Sequence, residues 1–434
     1  MRPALMAERV LVVAVAAHLV LVEIIFFSAG SGRNDLLTLA EFFGLHVAAV
    51  MMVQVALVAR LPWLDRRLGM DRLTAWHRWV GIALAWMIAC HATFVLLGFA
   101  RLDDATVPAT FWSLAGVTAS LLGMCAAATV VVVVLVSTRW ARARLPYEVF
   151  RYVHLLLYVA IGLALVHQAL EGTSFDAPLA AAYWWTMWTL VLGSLLYFRA
   201  VVPVRRNLRH RFRVAEVRPE SDDVVSVFVT GSDLHLLPGQ AGQFGIWRFP
   251  GHFGWWQANP FSLSAAPDGR RLRLTAKAVG ATSAGLRQLP IGTRVFIEGP
   301  YGAFTRLQQV TGKVLLIAGG IGITPLRALL EELSGDVILI YRVSSAADAV
   351  LLGELRELSA ERGTDLRLLA GPSGEGDPPI PRFDAASLAA MVPDVVDRDV
   401  YVCGPPPMTQ AVVDALRELG VPRAQVHHER FGLG

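Results

Sequence analysis

Six of the eleven histidines fall before residue 202, inside long apolar runs. An ionisable side chain in such surroundings is expensive and marks function by default. Four of them form two sets, His77 with His91 on one run and His154 with His167 on another. Both runs are expected to cross a membrane from inside to outside, so His77 and His154 share the inner level and His91 and His167 the outer one. Neutral imidazole is a good axial iron ligand, and an iron porphyrin fits the core of a helix bundle. The layout is that of two stacked bis-histidine haems of the b type. At 1.5 Å per residue the step from His77 to His91 is about 21 Å, which two haems can share within a hydrocarbon core of about 30 Å. Helical phase complicates this: the step to His91 returns it to within about 40° of the His77 face, whereas the shorter step to His167 leaves it about 140° from His154. The second helix then needs tilt, a local irregularity, or haems approached from different sides. The competing reading is that the four rings bond neighbouring helices or backbone. His18 and His46 lack matched partners and read as packing or polar contacts. Glu23 and Glu171, toward the outer ends of their helices, could bind a metal substrate or relay protons, with Glu171 better placed to face the interface.

A second chemistry is written in glycine. The turn Gly319-Gly320-Ile321-Gly322-Ile323-Thr324-Pro325 lies between an apolar strand, 313–318, and a helix starting near Pro325. Without side chains the backbone can approach a pyrophosphate, and the helix N-terminus supplies donors and partial positive charge. The run Cys403-Gly404-Pro405-Pro406-Pro407-Met408 strengthens the assignment of a dinucleotide site. Tyr341-Arg342-Val343-Ser344 follows the second strand, where an acidic residue would favour NAD and a basic one a 2′-phosphate. Arg342 and Ser344 therefore point to NADPH, with NADH as the alternative.

The elements that must hold these residues divide into two solvents. Of 434 residues 55% are hydrophobic and only 17% charged, against about 25% charged in soluble domains. Together with a mean hydropathy of +0.50, this excludes a plain soluble enzyme. Disorder is excluded too, because the 39 basic and 35 acidic residues nearly cancel in a hydrophobic chain. Apolar runs near 8–28, 36–59, 74–99, 110–137, 147–170 and 179–201 each meet the ~20 residues needed to span hydrocarbon, giving six transmembrane helices. The first is too long for a signal peptide, carries His18 and Glu23, and has Phe27 where a cleavage site needs small residues. Arginines crowd the N-terminus and alternate connections, at Arg60, Arg66, Arg67 and Arg72, at Arg139, Arg142 and Arg144, and at Arg199 to Arg211. Both termini are thus expected inside. The pI near 9.1 follows from this topology, with no call on nucleic acid. Cys90, Cys125 and Cys403 lie too far apart for a disulfide framework, a zinc site or an iron–sulfur cluster. Beyond Arg211, short alternating runs separated by Pro and Gly predict a small antiparallel β-barrel, and strand and helix alternation from Lys313 onward predicts a doubly wound α/β domain. Lys277 and Lys313 are the only lysines, while Arg, Ala and Val are abundant. Such usage suggests a GC-rich bacterial genome and a bacterial plasma membrane.

Taken together, these motifs resemble the ferric reductase and NADPH oxidase superfamily. The resemblance implies a multidomain chain: a haem-binding membrane domain at 1–203, a ferredoxin-reductase-type FAD barrel at 207–306 and a nicotinamide domain at 312–434. Asn259-Pro260-Phe261-Ser262 resembles the family's His-Pro-Phe-Ser/Thr element. The likeness puts Pro260 and the Phe261 ring on the isoalloxazine and the Ser262 hydroxyl near its N5, with Asn259 standing where the family has His. Gly280-Ala281-Thr282-Ser283 is similar to the flavin pyrophosphate clamp, with Lys277 adding charge, and 298–302 matches the loop that ends the flavin domain. Cys403 would lie beside the nicotinamide C4, with Gly404 and Pro405 following. Phe431, in Glu429-Arg430-Phe431, resembles the terminal aromatic that shields the flavin. A buried small residue at a strand end is the plainer reading of Cys403, and ordinary packing that of Phe431. Trp255 and Trp256 face either the membrane side or the barrel. The implied path runs from cytoplasmic NADPH through FAD and two b-type haems to an acceptor outside, either an Fe(III) chelate or O₂, giving superoxide. Two alternatives are a membrane-anchored flavin reductase without haem and an electron donor to a partner protein.

Overall fold

The computed structural model describes residues 3–30, 32–171, 175, 177–252, 254–255, 257–375 and 380–429. Among them, six helices are long and apolar enough to cross a membrane. They are α1 (Pro3–Ala29), α2 (Asp35–Val58), α4 (Met70–Leu102), α6 (Thr118–Ser137), α8 (Tyr147–Glu171) and α9 (Pro178–Leu196), with short α3 (Pro62–Leu68), α5 (Val107–Ala115) and α7 (Arg139–Arg142) between them. The apolar run 110–137 is not one helix, as expected from the sequence, but two. Gly116 closes α5, and Val117, extended at φ −94° and ψ 118°, opens α6. The sixth run ends in a π-helical turn, Tyr197–Val201, before α10 (Val202–His210). Pro203 has no N–H to give the carbonyl four residues back, so the ladder loosens at this point.

Arg9–Leu61 and Leu73–Tyr197 form the membrane unit. Its core gathers Val22, Leu45, Ala49, Met52, Leu84, Trp184 and Trp188 from α1, α2, α4 and α9, with partly buried Ile161, Ala164 and Leu165 of α8 packed against them. Gln168 Oε1 accepts the indole N–H of both Trp184 (3.2 Å) and Trp188 (3.3 Å), which satisfies three buried polar groups at once. Asn34 caps α2 through the Leu37 N–H and donates Nδ2–H to the Gly98 carbonyl, each at 2.9 Å. Val13, Phe27, Trp86 and Leu179 remain exposed, an apolar surface that only lipid can cover. This is a multi-pass membrane protein.

Met1–Glu8, Pro62–Arg72 and Phe198–Gly434 form the second unit. Its first lobe holds β1 (Arg213–Pro219), β2 (Val224–Thr230), β3 (Phe244–Arg248), β4 (Asn259–Ser262), β5 (Arg271–Lys277) and β6 (Phe296–Tyr301), with α11 (Ala281–Gly285) after β5. They pair as two antiparallel sheets, β1-β2-β5 and β4-β3-β6. Single bridges join the sheets at both edges, Leu263 to Leu274 and Arg213 to Arg294. Val227, Val229, Trp247 and Leu274 fill the interior. The second lobe is a parallel sheet in the order β11-β10-β7-β8-β9, built from β7 (Lys313–Gly319), β8 (Asp336–Val343), β9 (Asp365–Ala370), β10 (Asp399–Cys403) and β11 (Val426–Glu429). Alternation with α12 (Ile323–Glu332), α13 (Leu352–Arg362), α14 (Ala385–Met391) and α15 (Pro406–Glu418) gives the doubly wound fold. The strand order reverses between β7 and β10, so a ligand crevice is expected outside their carboxyl ends. Buried Arg273 on β5 makes a bidentate pair with Glu354 of α13 (2.9 and 2.8 Å), and Arg327 of α12 reaches Glu354 at 2.9 Å, fastening the two lobes.

Candidate functional site

In the membrane unit the four histidines meet as the spacing suggested. The ring centres of His77 and His154 lie 6.2 Å apart and those of His91 and His167 6.5 Å apart, with interplanar angles of 61° and 65°. All four rings are half-buried. α8 is an unbroken helix through both its histidines, so the phase mismatch is met by rings leaving different sides of it. The His91 and His167 rings are held by main-chain carbonyls: His91 Nδ1 bonds Ala40 O at 2.8 Å and His167 Nδ1 bonds Ala119 O at 2.9 Å. A carbonyl can only accept, so Nδ1 carries the proton and Nε2 presents its lone pair. Glycine makes room for both rings. A Cβ on Gly44 would stand 2.8 Å from the His91 ring, and one on Gly123 3.1 Å from the His167 ring. In the other pair His77 Nδ1 bonds Gln54 O at 3.2 Å, and His154 Nδ1 is buried without a hydrogen-bond partner among the described residues. Gly44, Gly123 and Gln54 were not singled out from sequence, where a glycine in an apolar run carries no signal by itself.

The other two intramembrane histidines each meet a polar side chain. His18 Nδ1 lies 2.6 Å from the Tyr183 hydroxyl, and His46 Nε2 lies 3.1 Å from Glu23 Oε1. Glu171 is exposed and takes a long 3.4 Å bond from Ser120 Oγ.

In the nicotinamide lobe the glycine turn and the Cys403 run close on each other at the switch between β7 and β10. A Cβ on Gly322 would fall 2.2 Å from the Cys403 carbonyl oxygen, one on Gly319 2.7 Å from Met408 Sδ, and one on Gly404 3.0 Å from Gly319 Cα. Pro405 lines the same contact, 2.8 Å from the Gly319 position. Gly320 differs: it has φ +52° and open space around its missing side chain. Gly319, Gly322 and Gly404 thus permit packing, and Gly320 leaves its backbone uncovered. Thr324 and Pro325 are buried in the first turn of α12, where Thr324 Oγ1 donates to Ile321 O at 3.1 Å. Arg342 is half-buried and donates to Leu369 O (3.2 Å) and Ser373 Oγ (3.0 Å). No ion pair with a described carboxylate neutralises it, and partial burial draws its pKa down. Ser344 is exposed beside it.

Cys403 is fully buried opposite Glu429, its partner across β10 and β11. Burial, and then Glu429, push the thiol well above its ordinary range. Burial, then Asp71 and Asp65, raise the Glu429 carboxyl to about 8, and its Oε2 is buried without a hydrogen-bond partner. Asp65 comes from α3, and its Oδ2 accepts the Gly302 N–H at 3.0 Å. Gln308 Nε2 donates to the carbonyls of Arg66 and Arg67, both at 3.3 Å. Sequence reasoning took this segment for a charged loop only. Phe431, like Arg430 and Trp256, lies outside the described residues; Trp255 is exposed.

The flavin-lobe residues are less uniformly presented. Pro260 and Phe261 are half-buried on β4, with Phe261 O accepting the Trp247 indole N–H at 3.1 Å, and Ser262 is buried. The Ser283 hydroxyl turns back into its own loop, accepting from Val279 N and Gly280 N and donating to Gly280 O, all at 3.0 Å. Thr282 Oγ1 donates to Gln257 Oε1 at 2.9 Å. Lys277 Nζ pairs with Asp223 at 3.1 Å on the surface. Arg248 and Glu298 form a half-buried ion pair next to the 299–302 loop.

Comparison with known proteins fits both units. Residues 43–165 match the family of the ferric reductase like transmembrane component, and residues 316–414 that of the oxidoreductase NAD-binding domain. The chain therefore joins a segment like the ferric reductase transmembrane component to one like the oxidoreductase NAD-binding domain. It is 29% identical over 245 residues to the flavohemoprotein of Chromobacterium violaceum, covering 51% of this chain and 60% of that one. It is 34% identical over 235 residues to the ferredoxin reductase component of 3-ketosteroid-9-alpha-monooxygenase from Mycolicibacterium smegmatis, covering 50% and 64%. Among solved structures, the FAD/NAD binding domain of nitric oxide dioxygenase from Vibrio cholerae matches at 29% identity and a TM-score of 0.44, covering 52% of this chain and 99% of that one. The chain thus spans under two thirds of the length of both curated relatives.

Proposed function

We propose that the protein carries electrons from cytoplasmic NADPH, through FAD and two b-type haems, to an acceptor on the outer side of a bacterial plasma membrane, with both termini inside. The observation that carries the reading is the pairing of the four histidines. Two imidazole nitrogens sharing one metal at about 2.0 Å each, plus about 1.2 Å from nitrogen to ring centre, would separate the ring centres by about 6.4 Å. The separations of 6.2 and 6.5 Å match that span. Three of the four Nδ1 atoms lie against main-chain carbonyls, the support that ligating histidines ordinarily receive. The residues present therefore fit haem: His77 with His154 for one group, His91 with His167 for the other.

FAD supplies the conversion between a two-electron donor and single-electron transfer, and haem supplies one-electron carriage. This chain's own residues supply position. Gly320 offers an unobstructed backbone at the mouth of the crevice, and the α12 N-terminus adds partial positive charge for a pyrophosphate. Arg342, fixed by two neutral acceptors, keeps its charge for a 2′-phosphate. Cys403, its thiol held neutral, gives the nicotinamide an uncharged, close-packed wall. Phe261 provides the aromatic surface for the flavin, with Ser262 next to it. Ser283 shapes the clamp at Gly280 and Thr282 from within, and Lys277 acts at most through its field, because Asp223 holds it. With two histidines offered at each site, the acceptor would be a species that takes one electron without ligation, as an Fe(III) chelate or O₂ does.

The test is an anaerobic optical spectrum of the detergent-purified protein with FAD and NADPH, followed by air or an Fe(III) chelate. Low-spin b-type bands that reduce on NADPH are expected, and the faster reoxidant names the acceptor. Protein made with ample haem yet lacking those bands would be a membrane-anchored flavin reductase.

A further inference from the structure

The two histidine pairs are supported differently, and the difference bears on energetics as well as on architecture. Both outer rings donate Nδ1–H to a carbonyl at short range, His91 to Ala40 O at 2.8 Å and His167 to Ala119 O at 2.9 Å. At the other level only His77 has such a bond, longer at 3.2 Å, and the buried His154 Nδ1 has none. A hydrogen bond from the remote nitrogen raises the basicity of the ligating one, which favours the oxidised metal. The outer pair is thus the more strongly donating.

Gln54 adds a second asymmetry. Its main-chain carbonyl receives His77 Nδ1, and its side-chain Nε2 lies 3.3 Å from His77 Nε2, so one residue addresses both nitrogens of one ring. The carboxamide sits in the space left by Gly81, one turn along α4, where a Cβ would come within 2.9 Å of it. Its Oε1 is buried with no hydrogen-bond partner. Among the described residues no such carboxamide contact is made to His91 or His167, where glycines Gly44 and Gly123 face the rings instead. The lone pair on His77 Nε2 cannot serve an amide N–H and a metal together. Ligation therefore frees a buried amide dipole whose N–H end faces the site, a charge distribution that favours the reduced state.

We infer that Gln54 is a positioning residue that tunes the His77/His154 site, and that this site has the higher reduction potential of the two. The inference rests on the haem reading above. Its consequence is that the transfer of one electron from the inner site to the outer one runs against the potential and is drawn forward by the acceptor.

The experiment is a spectroelectrochemical titration of the full-length, haem-loaded protein. Two separated midpoints are expected. Gln54→Leu should lower the upper midpoint and leave the lower one in place. Gly123→Ala, which crowds His167, should move only the lower one. A single shared midpoint in the native protein would overturn the inference without any variant, as would Gln54→Leu moving the lower midpoint, both, or neither. If Gln54→Leu does not accumulate, Gln54→Met puts a flexible apolar chain in the same space and carries the same expectation. Protein that binds one haem or none would instead overturn the relay reading itself, so the two failures are told apart by haem content before any titration begins.

Discussion

On the function proposed above, the membrane unit and the reductase unit face the same problem, holding a large flat group at a fixed place, and they would solve it with opposite parts of the chain. Between membrane helices the backbone has no donors to spare, because each N–H is already bound within its own helix. Recognition there falls to side chains, the imidazoles of His77, His91, His154 and His167, steadied by carbonyls of neighbouring helices that take a second bond. At the strand ends of the α/β lobe the situation reverses. The first N–H groups of α12 are left over by the helix, and bare glycine lets a ligand reach them. Glycine appears in both units with different duties. Gly44 and Gly123 clear space for another side chain, whereas Gly322 and Gly319 let two turns of backbone touch and Gly320 keeps a surface open. The same residue type is therefore no guide to role until its neighbours are known.

That contrast can be broken most decisively in the membrane unit. His91→Leu should remove the outer haem, about half of the total absorbance, while NADPH still reduces FAD; pyridine haemochrome content and stopped-flow flavin bleaching check the two halves of that statement. Next comes the reverse experiment. Gly322→Val places methyl groups where even a Cβ falls 2.2 Å from the Cys403 carbonyl. NADPH-driven reduction should fall at least a hundredfold, the cost of moving backbone by a few kcal/mol, with haem content and dithionite reduction unchanged. If either variant damages both units, the assignment of separate duties fails.

Arg342→Asp should act within one unit and on one substrate. Losing a charge-assisted contact and gaining repulsion should weaken NADPH relative to NADH by about tenfold or more, roughly 1.5–3 kcal/mol. Equal loss for both nucleotides in steady-state kinetics would remove the 2′-phosphate argument. The smallest effect expected is on stability. Glu429 has its pKa raised from the ordinary carboxyl range to about 8, first by burial. A group bound more tightly to its proton in the folded state contributes stability that is present below its unfolded pKa and lost as pH rises through the folded one. Melting temperature of the reductase unit should therefore decline between about pH 4.5 and pH 8, and Glu429→Gln should flatten that decline by a few degrees. A parallel decline in the variant would show that Glu429 is not its source.

Much of this was open to reading in one dimension. Spans of about twenty apolar residues are forced by the thickness of hydrocarbon, so six helices could be counted without coordinates. Matching depths for two histidine pairs followed from rise per residue, and the glycine turn was recognisable because it sits between a buried strand and a helix. The break at Gly116 was missed because an apolar pair of short helices has the composition of one long one. Lys277 and Ser283 looked available to a flavin phosphate, but Asp223 and the Gly280 turn engage them, partners that no local pattern announces.

Sequence alone determined the solvents, the number of spans, the residue types at the candidate sites and the glycine turn between strand and helix, since each depends on composition or on spacing along a single element. Only the tertiary structure decided which sides of α8 meet α4, which carbonyls steady which rings, and that Gln54 addresses one pair while glycines face the other. It also brought Asp65 of the short helix α3 to the Gly302 N–H, a contact across 237 positions of chain. These choices turn on the angles and distances between elements, which side-chain packing sets and which no residue encodes by itself.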